Sequence, residues 1–312
     1  MYKRIVSSIL FAVGLLCLDR VLAGLIAQLY SRTTTGEGAG DLRGALNRTD
    51  ADLLIFGTSR ARHHIIPQIL HDSLNQNVFN CGSNGRGIYY ARILERMMLA
   101  RGTKAKTFLL QVEPFDLFDT HPERASVAAP LIDIDPVVRE LLVQATSFGE
   151  LKFASRTYRF NSMLFPIVRN SAWPSTDARG ADGFIGLTGN LGGMDPGTPF
   201  ESSLLDSDRP FDERALPLYR DFIGDAKRAG ITVVLFDCPL FRTSAPTSAE
   251  QRALDAFARL AADEDLVSLS FDERNFPQFL DGRLFNDRAH LNADGARMLT
   301  TLLATKLKEL RH

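Results

Sequence analysis

Two short stretches hold side chains whose types and spacing could do covalent chemistry. In Gly57-Thr58-Ser59-Arg60 a serine directly follows an apolar run, and in LFNDRAHLNADGARML residues Asp287 and His290 stand three apart ahead of a helical pattern. A hydroxyl is a weak nucleophile until a neighbouring base takes its proton, and imidazole is the usual base near neutral pH. A three-residue spacing on a turn can set a carboxylate against imidazole Nδ1 and leave Nε2 for a hydroxyl. Each stretch alone has an ordinary reading, with Ser59 as a helix cap, Asp287 as a turn cap and His290 as a surface residue. Together they supply a nucleophile, a base and a carboxylate to orient it, which is the equipment of acyl transfer.

Such residues need elements to bring them together. Apolar runs at 53–56, 78–80, 107–112 and 232–236, with a weaker one at 266–269, are short, apolar on both faces and separated by helical patterns or an insertion. That is how a parallel sheet covered by helices looks in sequence. Ligands of open parallel sheets bind beyond the carboxyl ends of the strands, and Ser59 stands at such an end. Helices are expected over 87–101, 212–229, 248–263 and 295–310. The rhythm breaks from 119 to 209, where the second half is rich in glycine. A segment this long between the third and fourth strands reads as an insertion able to cover the site. Its Tyr158 and Trp173 read as local core or as platforms for sugar rings.

The 36 basic and 37 acidic side chains leave a formal net charge of -1, so no global field draws the chain to nucleic acid. Cys17, Cys81 and Cys238 are too few and too scattered for a disulfide framework or a zinc site and read as apolar fillers. No metal or other cofactor is expected. At the N-terminus, Lys3 and Arg4 precede an apolar run over 5–18, Asp19 and Arg20 interrupt it, and a second run covers 21–30. A continuous helix over 5–30 is about 39 Å long, enough for a bilayer core of roughly 30 Å. The segment reads as an uncleaved anchor, with a signal peptide cut after Ala23 as the alternative and a buried helix of a cytoplasmic protein as the third reading. The first two place the rest of the chain outside the cytoplasm, the anchor by its leading positive charge. The expected layout is an anchor or signal at 1–30, a Gly-rich tether at 31–50, and a catalytic domain at 51–312 with its insertion at about 119–209.

The order of Gly57-x-Ser59 after the first strand, a glycine after the second in NCGSNGRG, and Asp287-x-x-His290 before the last helix resembles the SGNH/GDSL hydrolase superfamily. The resemblance covers roughly 51–310 with the insertion unmatched. It implies a flavodoxin-like three-layer α/β/α sandwich whose members hydrolyse or transfer acyl groups through a Ser-His-Asp arrangement. It makes Ser59 the nucleophile, His290 the general base and Asp287 its orienting partner, with the amides of Ser59 and Gly85 as oxyanion donors. Membrane-tethered members, including alginate O-acetylation proteins and the D-alanylation protein of Gram-positive walls, act on envelope polymers beside membrane-bound O-acyltransferases. The implied substrate is therefore an envelope polysaccharide or other acylated glycan, the implied protein partner such an acyltransferase, and the implied place the periplasm or cell surface.

The third block of that superfamily carries Gly-x-Asn, whose Asn side chain helps the oxyanion hole. This chain has Gln111, Glu113 and Pro114 there. Asn84 or the insertion is the expected substitute, and a weak or inactive glycan-binding scaffold is the alternative function. Glu113, Asp237 and Arg60 are candidate substrate contacts. Arg60 and Arg62 read as cover for the end of the helix, and at least one of His63 and His64 is expected to point outward.

Overall fold

The computed structural model describes residues 2–33, 39–173, 181–198 and 209–310. It divides into two compact units, one formed by 1–44 with 122–177 and the other by 45–121 with 178–312. The stretch expected as one insertion is thus shared between them. The tether falls partly on 34–38, which lies outside the described residues, and helix α2 (Ala39–Leu46) comes next.

The larger unit is built on five parallel strands, β1 (Leu53–Phe56), β2 (Val78–Asn80), β3 (Thr107–Gln111), β4 (Thr232–Phe236) and β5 (Val267–Leu269), in the order β2-β1-β3-β4-β5. These strands match the five expected runs to within a residue. Register places Ile55 beside Leu109 and Leu110 beside Leu235, so successive side chains alternate between two faces. Leu53, Ile55, Leu109, Val234 and Phe236 join a core with α3 (Ser59–His64), α4 (Pro67–Leu74) and α11 (Ala293–Glu309). On the alternate positions, Phe56, Phe108 and Phe222 meet edge-on or tilted at centroid distances of 5.0–5.8 Å. Phe222 comes from α9 (Ala215–Arg228), which packs with α5 (Ile88–Ala100), so helices cover both faces of the sheet. In this strand order the connection leaving β1 runs to one side (to β2) and the one leaving β3 to the other (to β4), and such a switch point opens a crevice at the carboxyl ends of β1 and β3. Helix α10 (Ser248–Asp263) packs on β5 and opens with a Thr247–Glu250 capping box.

In the smaller unit, α1 (Tyr2–Arg32) contains an 18-residue window of mean hydropathy 2.2 and is long and apolar enough to cross a membrane. It is accompanied by α6 (Pro136–Gln144), α7 (Gly149–Ala154) and α8 (Leu164–Ala172). Asp19, the charge that interrupts the apolar run, does not stand alone. Its carboxylate accepts from the Ser155 hydroxyl at 2.6 Å and from the amides of Arg156 and Thr157 at 2.9 and 3.0 Å. Arg20 donates to that carboxylate and to the Ala154 carbonyl. Of the expected apolar fillers, Cys81 and Cys238 are buried and Cys17 is exposed on α1.

Phe222 is fully buried between Phe56 and Phe108. Phe222→Ala should destabilise the larger unit by about 3–5 kcal/mol, read as a lowered denaturation midpoint in detergent. A change within about 0.5 kcal/mol would mean that the aromatic triplet does not hold α9 to the sheet.

Candidate active site

The turn after β1 is shaped by close approach. Gly57 has φ of +149°, and a Cβ there would lie 2.6 Å from the Gln111 Cβ and 2.9 Å from the Ala61 Cβ, so only glycine fits. Thr58 comes next as the N-cap of α3, its hydroxyl accepting from the Arg60 amide at 3.3 Å. Gln111 at the end of β3 fixes that cap, since its Oε1 accepts from both the Thr58 amide (3.0 Å) and the Thr58 hydroxyl (3.1 Å). Ser59 is then the first residue of α3, where a backbone N–H has no acceptor within the helix.

The histidine expected as base comes from the loop ahead of α11. Asn292 caps that helix by accepting from the amides of Asp294 and Gly295, while its own amide group donates to the carbonyls of Gly189 and Arg283. A Phe285–Leu291 bridge closes the loop, and inside it Asp287 Oδ1 accepts from the amides of Ala289 and His290, each at 2.9 Å. His290 Nδ1 lies 2.9 and 3.0 Å from the two Asp287 oxygens, and its Nε2 lies 2.8 Å from Ser59 Oγ. A carboxylate can only accept, so Nδ1 carries the proton and Nε2 presents its lone pair to the Ser59 hydroxyl. Partial burial raises the Asp287 pKa, but the bonds from His290 and the Ala289 amide outweigh it and hold the group well below the usual carboxylate range. The three residues expected as nucleophile, base and orienting partner therefore meet in hydrogen-bonding order.

Both histidines after the nucleophile are buried, against the expectation that at least one points outward. The reason is that each has a backbone partner in the interior. His64, fully buried, accepts from the Leu291 amide at 2.9 Å through Nε2, which ties α3 to the residue next to the base. The Thr300 hydroxyl donates to the His64 carbonyl and accepts from the Ile66 amide, joining the same two segments again. His63 Nδ1 donates to the Ile185 carbonyl at 2.7 Å, and its ring stands edge-on to His290 at 5.9 Å. Burial lowers the pKa of both, that of His64 strongly, with the charges of Arg60 and His290 adding to the effect at His64.

Arg60 and Arg62 are buried rather than spread over the helix end. Arg60 reaches beneath the crevice to the carbonyls of Cys238 and Pro239 and pairs with Glu113 at 3.4 Å. These contacts with the end of β4 are what draw it inward. Asp237 accepts from the Phe271 amide (2.6 Å) and the Ser270 hydroxyl (2.8 Å), and burial raises its pKa to about 6 against the pull of those bonds. Arg60, Glu113 and Asp237 line one cavity of about 390 Å3, together with Arg242 and Asp272. Ser59 does not line it, so the candidate substrate contacts are brought to one another and not to the nucleophile's hydroxyl.

The loop after β2 is tied to the nucleophile turn by the Ser83 amide, which donates to the Gly57 carbonyl at 3.0 Å. Gly85 stands in this loop at φ of +64°, exposed, and the half-buried Asn84 has an Oδ1 with no hydrogen-bond partner. The glycine-rich half of the expected insertion runs past the base. The Ile185 amide donates to the Arg62 carbonyl, the Gly189 amide to Asn286 Oδ1, the Leu191 amide to the Gly282 carbonyl, and Arg288 to the Thr198 carbonyl. Residues 181–198 thereby brace the Asp287–His290 loop. Reading the sequence missed Gln111, His64 and this brace. A glutamine closing a buried strand was the one available signal.

No protein-family model matches the chain, and no curated protein matches it.

His64→Ala leaves the buried Leu291 amide without its acceptor. The expected cost is about 1–3 kcal/mol in denaturation, with slower reaction of Ser59 towards a serine-directed probe. His64→Gln, which keeps an acceptor, should recover part of both. Asp237 gives a pH signature. A carboxyl whose folded pKa of about 6 exceeds its ordinary 3.8 binds its proton more tightly when folded. Its contribution is full below the unfolded pKa and is lost as pH rises through the folded one. Asp237→Asn should flatten the fall in denaturation midpoint between about pH 4 and pH 6, and an unchanged slope would assign that fall to other groups.

Proposed function

We propose that the chain is a serine-dependent esterase or O-acyltransferase of the SGNH type, acting on a cell-envelope polysaccharide. The single observation that carries this reading is the 2.8 Å contact of Ser59 Oγ with His290 Nε2, backed by Asp287 on Nδ1. The strand order and the helices on both faces support the flavodoxin-like sandwich that the reading requires. The apolar α1 with Lys3 and Arg4 at its start supports a membrane anchor and an extracytoplasmic catalytic domain, with a membrane-bound O-acyltransferase as its source of acyl groups.

In this mechanism Ser59 Oγ attacks the carbonyl carbon of an acyl ester while His290 Nε2 takes the hydroxyl proton. The positive charge that forms on the imidazole is met by Asp287. The tetrahedral intermediate places its oxyanion at the start of α3, where the Ser59 amide donates, with Gly85 and Asn84 as the further donors. Collapse breaks the bond to the leaving alcohol, which departs with the proton from His290. Water or a sugar hydroxyl then attacks the acyl-Ser59, again giving its proton to His290; collapse breaks the acyl–Oγ bond, His290 returns the proton to Ser59 Oγ, and free acid or an acylated glycan leaves.

One observation favours a second reading, a weak or inactive glycan-binding scaffold. Gln111 occupies the place of the superfamily's asparagine with Oε1 on Thr58 and one Nε2–H on the Val112 carbonyl, so the side chain is held by the backbone around the turn instead of standing free as an oxyanion donor. Loss of one such donor costs about 2.7–4 kcal/mol in the transition state.

A fluorophosphonate probe on the purified full-length chain separates the two. Catalysis predicts labelling that Ser59→Ala abolishes and His290→Ala slows by about 10²–10⁴-fold. Equal labelling of wild type and Ser59→Ala, or none of either in the folded protein, would leave the scaffold. With an acyl donor and candidate glycans, free acid as the sole product would count against transfer.

A further inference from the structure

We infer that the segment 122–173 is a second membrane contact, seating Phe148, Leu151, Phe165 and Trp173 in the headgroup region of the bilayer that α1 crosses. This rests on the reading of α1 as a membrane anchor. Phe148, Leu151, Phe165 and Trp173 are 76–81% exposed, in a unit that already buries Phe153, Phe160, Met163 and Ile167 as a core of its own. Helix α8 turns Ile167 inward and packs against α1, yet Leu164, Phe165 and Val168 on its other sides are exposed. A helix apolar on both its inner and outer faces belongs in a protein core or against lipid. Helix α1, in the same unit, exposes apolar side chains of its own, among them Leu18, Val21, Leu22 and Leu25.

Asp19 sets the depth. The stretch of α1 ahead of it is about 26 Å long, close to the thickness of a hydrocarbon core, so a helix entering at Lys3 and Arg4 reaches the opposite interface near Asp19. Within the unit, the Ser155–Thr157 loop binds Asp19, and Arg20 donates to the Ala154 carbonyl at the end of α7. Helix α7 is only about 9 Å long, which keeps Leu151 and the preceding Phe148 near that level. Contact of this kind typically buries an apolar face about 5–10 Å into the headgroup boundary, with basic side chains meeting lipid phosphates. Lys152, Arg156 and Arg169 stand among the apolar residues in position for that. The occupant proposed is lipid; another protein on the same face is an outcome that the test distinguishes.

Trp173 is the chain's single tryptophan, so it reports directly in wild type, and Trp173→Phe provides a dark background for Leu151→Trp and Phe165→Trp. The full-length protein is reconstituted into phosphatidylcholine–phosphatidylglycerol vesicles, with ordinary lipid or lipid brominated near the top of the acyl chains. Expected are blue-shifted emission, loss of fluorescence in the brominated vesicles and protection from aqueous iodide, for the wild type and for both single-tryptophan variants. Full iodide quenching with no effect of bromine overturns the inference, as does protection from both quenchers, which would mean that protein covers the face. Protein retained by the vesicles in alkaline carbonate but showing either pattern overturns only this inference. Protein released by carbonate overturns the anchor reading and this one with it.

Discussion

A hydrogen bond joins side chains 231 residues apart, Ser59 Oγ and His290 Nε2, and the larger unit is organised so that this distance holds. Neither residue is placed by its neighbours alone. Ser59 depends on β1 being an interior strand, with β3 beside it to supply Gln111 and β2 beside it to supply the loop that binds the Gly57 carbonyl. His290 depends on the cap of α11 and on a loop braced by residues 181–198. The link between the two is short. His64, one and a half turns beyond the nucleophile on α3, accepts from the amide next to the base, so a displacement of either segment strains a buried bond.

This explains why polar residues come so soon after the nucleophile. A surface helix would face charged side chains to water, but α3 is enclosed and its Arg60, Arg62, His63 and His64 are all buried. Each buried polar group needs partners, and carbonyls from the loop after β4 and from the 181–198 brace serve Arg60 and His63. Neutral histidines suit this work better than lysines, because an uncharged imidazole both donates and accepts without the cost of a buried charge.

Much of the larger unit was legible because its signals are local. Four of the five strands are buried apolar runs, and Asp287 and His290 lie close enough in sequence for a turn to join them. The hidden features all depend on long-range pairing. Arg60 looks like surface until the Cys238 and Pro239 carbonyls are known to lie beside it, and Asp19 looks like an intruder in an apolar helix until the Ser155–Thr157 loop is known to bind it. The 119–209 segment resisted reading for the same reason. Its first part gains its partners from α1 and its glycine-rich part from the base loop, and neither set of partners is adjacent in sequence.

Where the site differs from the SGNH pattern it is proposed to follow, the difference comes from the same economy of partners. Gln111 has one acceptor and one donor end, and both are engaged, Oε1 at the Thr58 cap and Nε2 at the Val112 carbonyl. A side chain in that place can steady the turn before Ser59 or donate to a developing oxyanion, and Gln111, held at both ends, is committed to the first. What the turn gains is a fixed Thr58 cap, and with it a fixed direction for the Ser59 amide, which the proposed mechanism uses as a donor. Electrostatic stabilisation depends on donors that need no reorganisation during the reaction, so one well-held amide can offset part of what a missing side-chain donor costs. In the proposed reaction the remaining donors would come from the loop after β2, where Gly85 sits in a left-handed conformation and Asn84 would have to offer its side-chain N–H rather than its Oδ1.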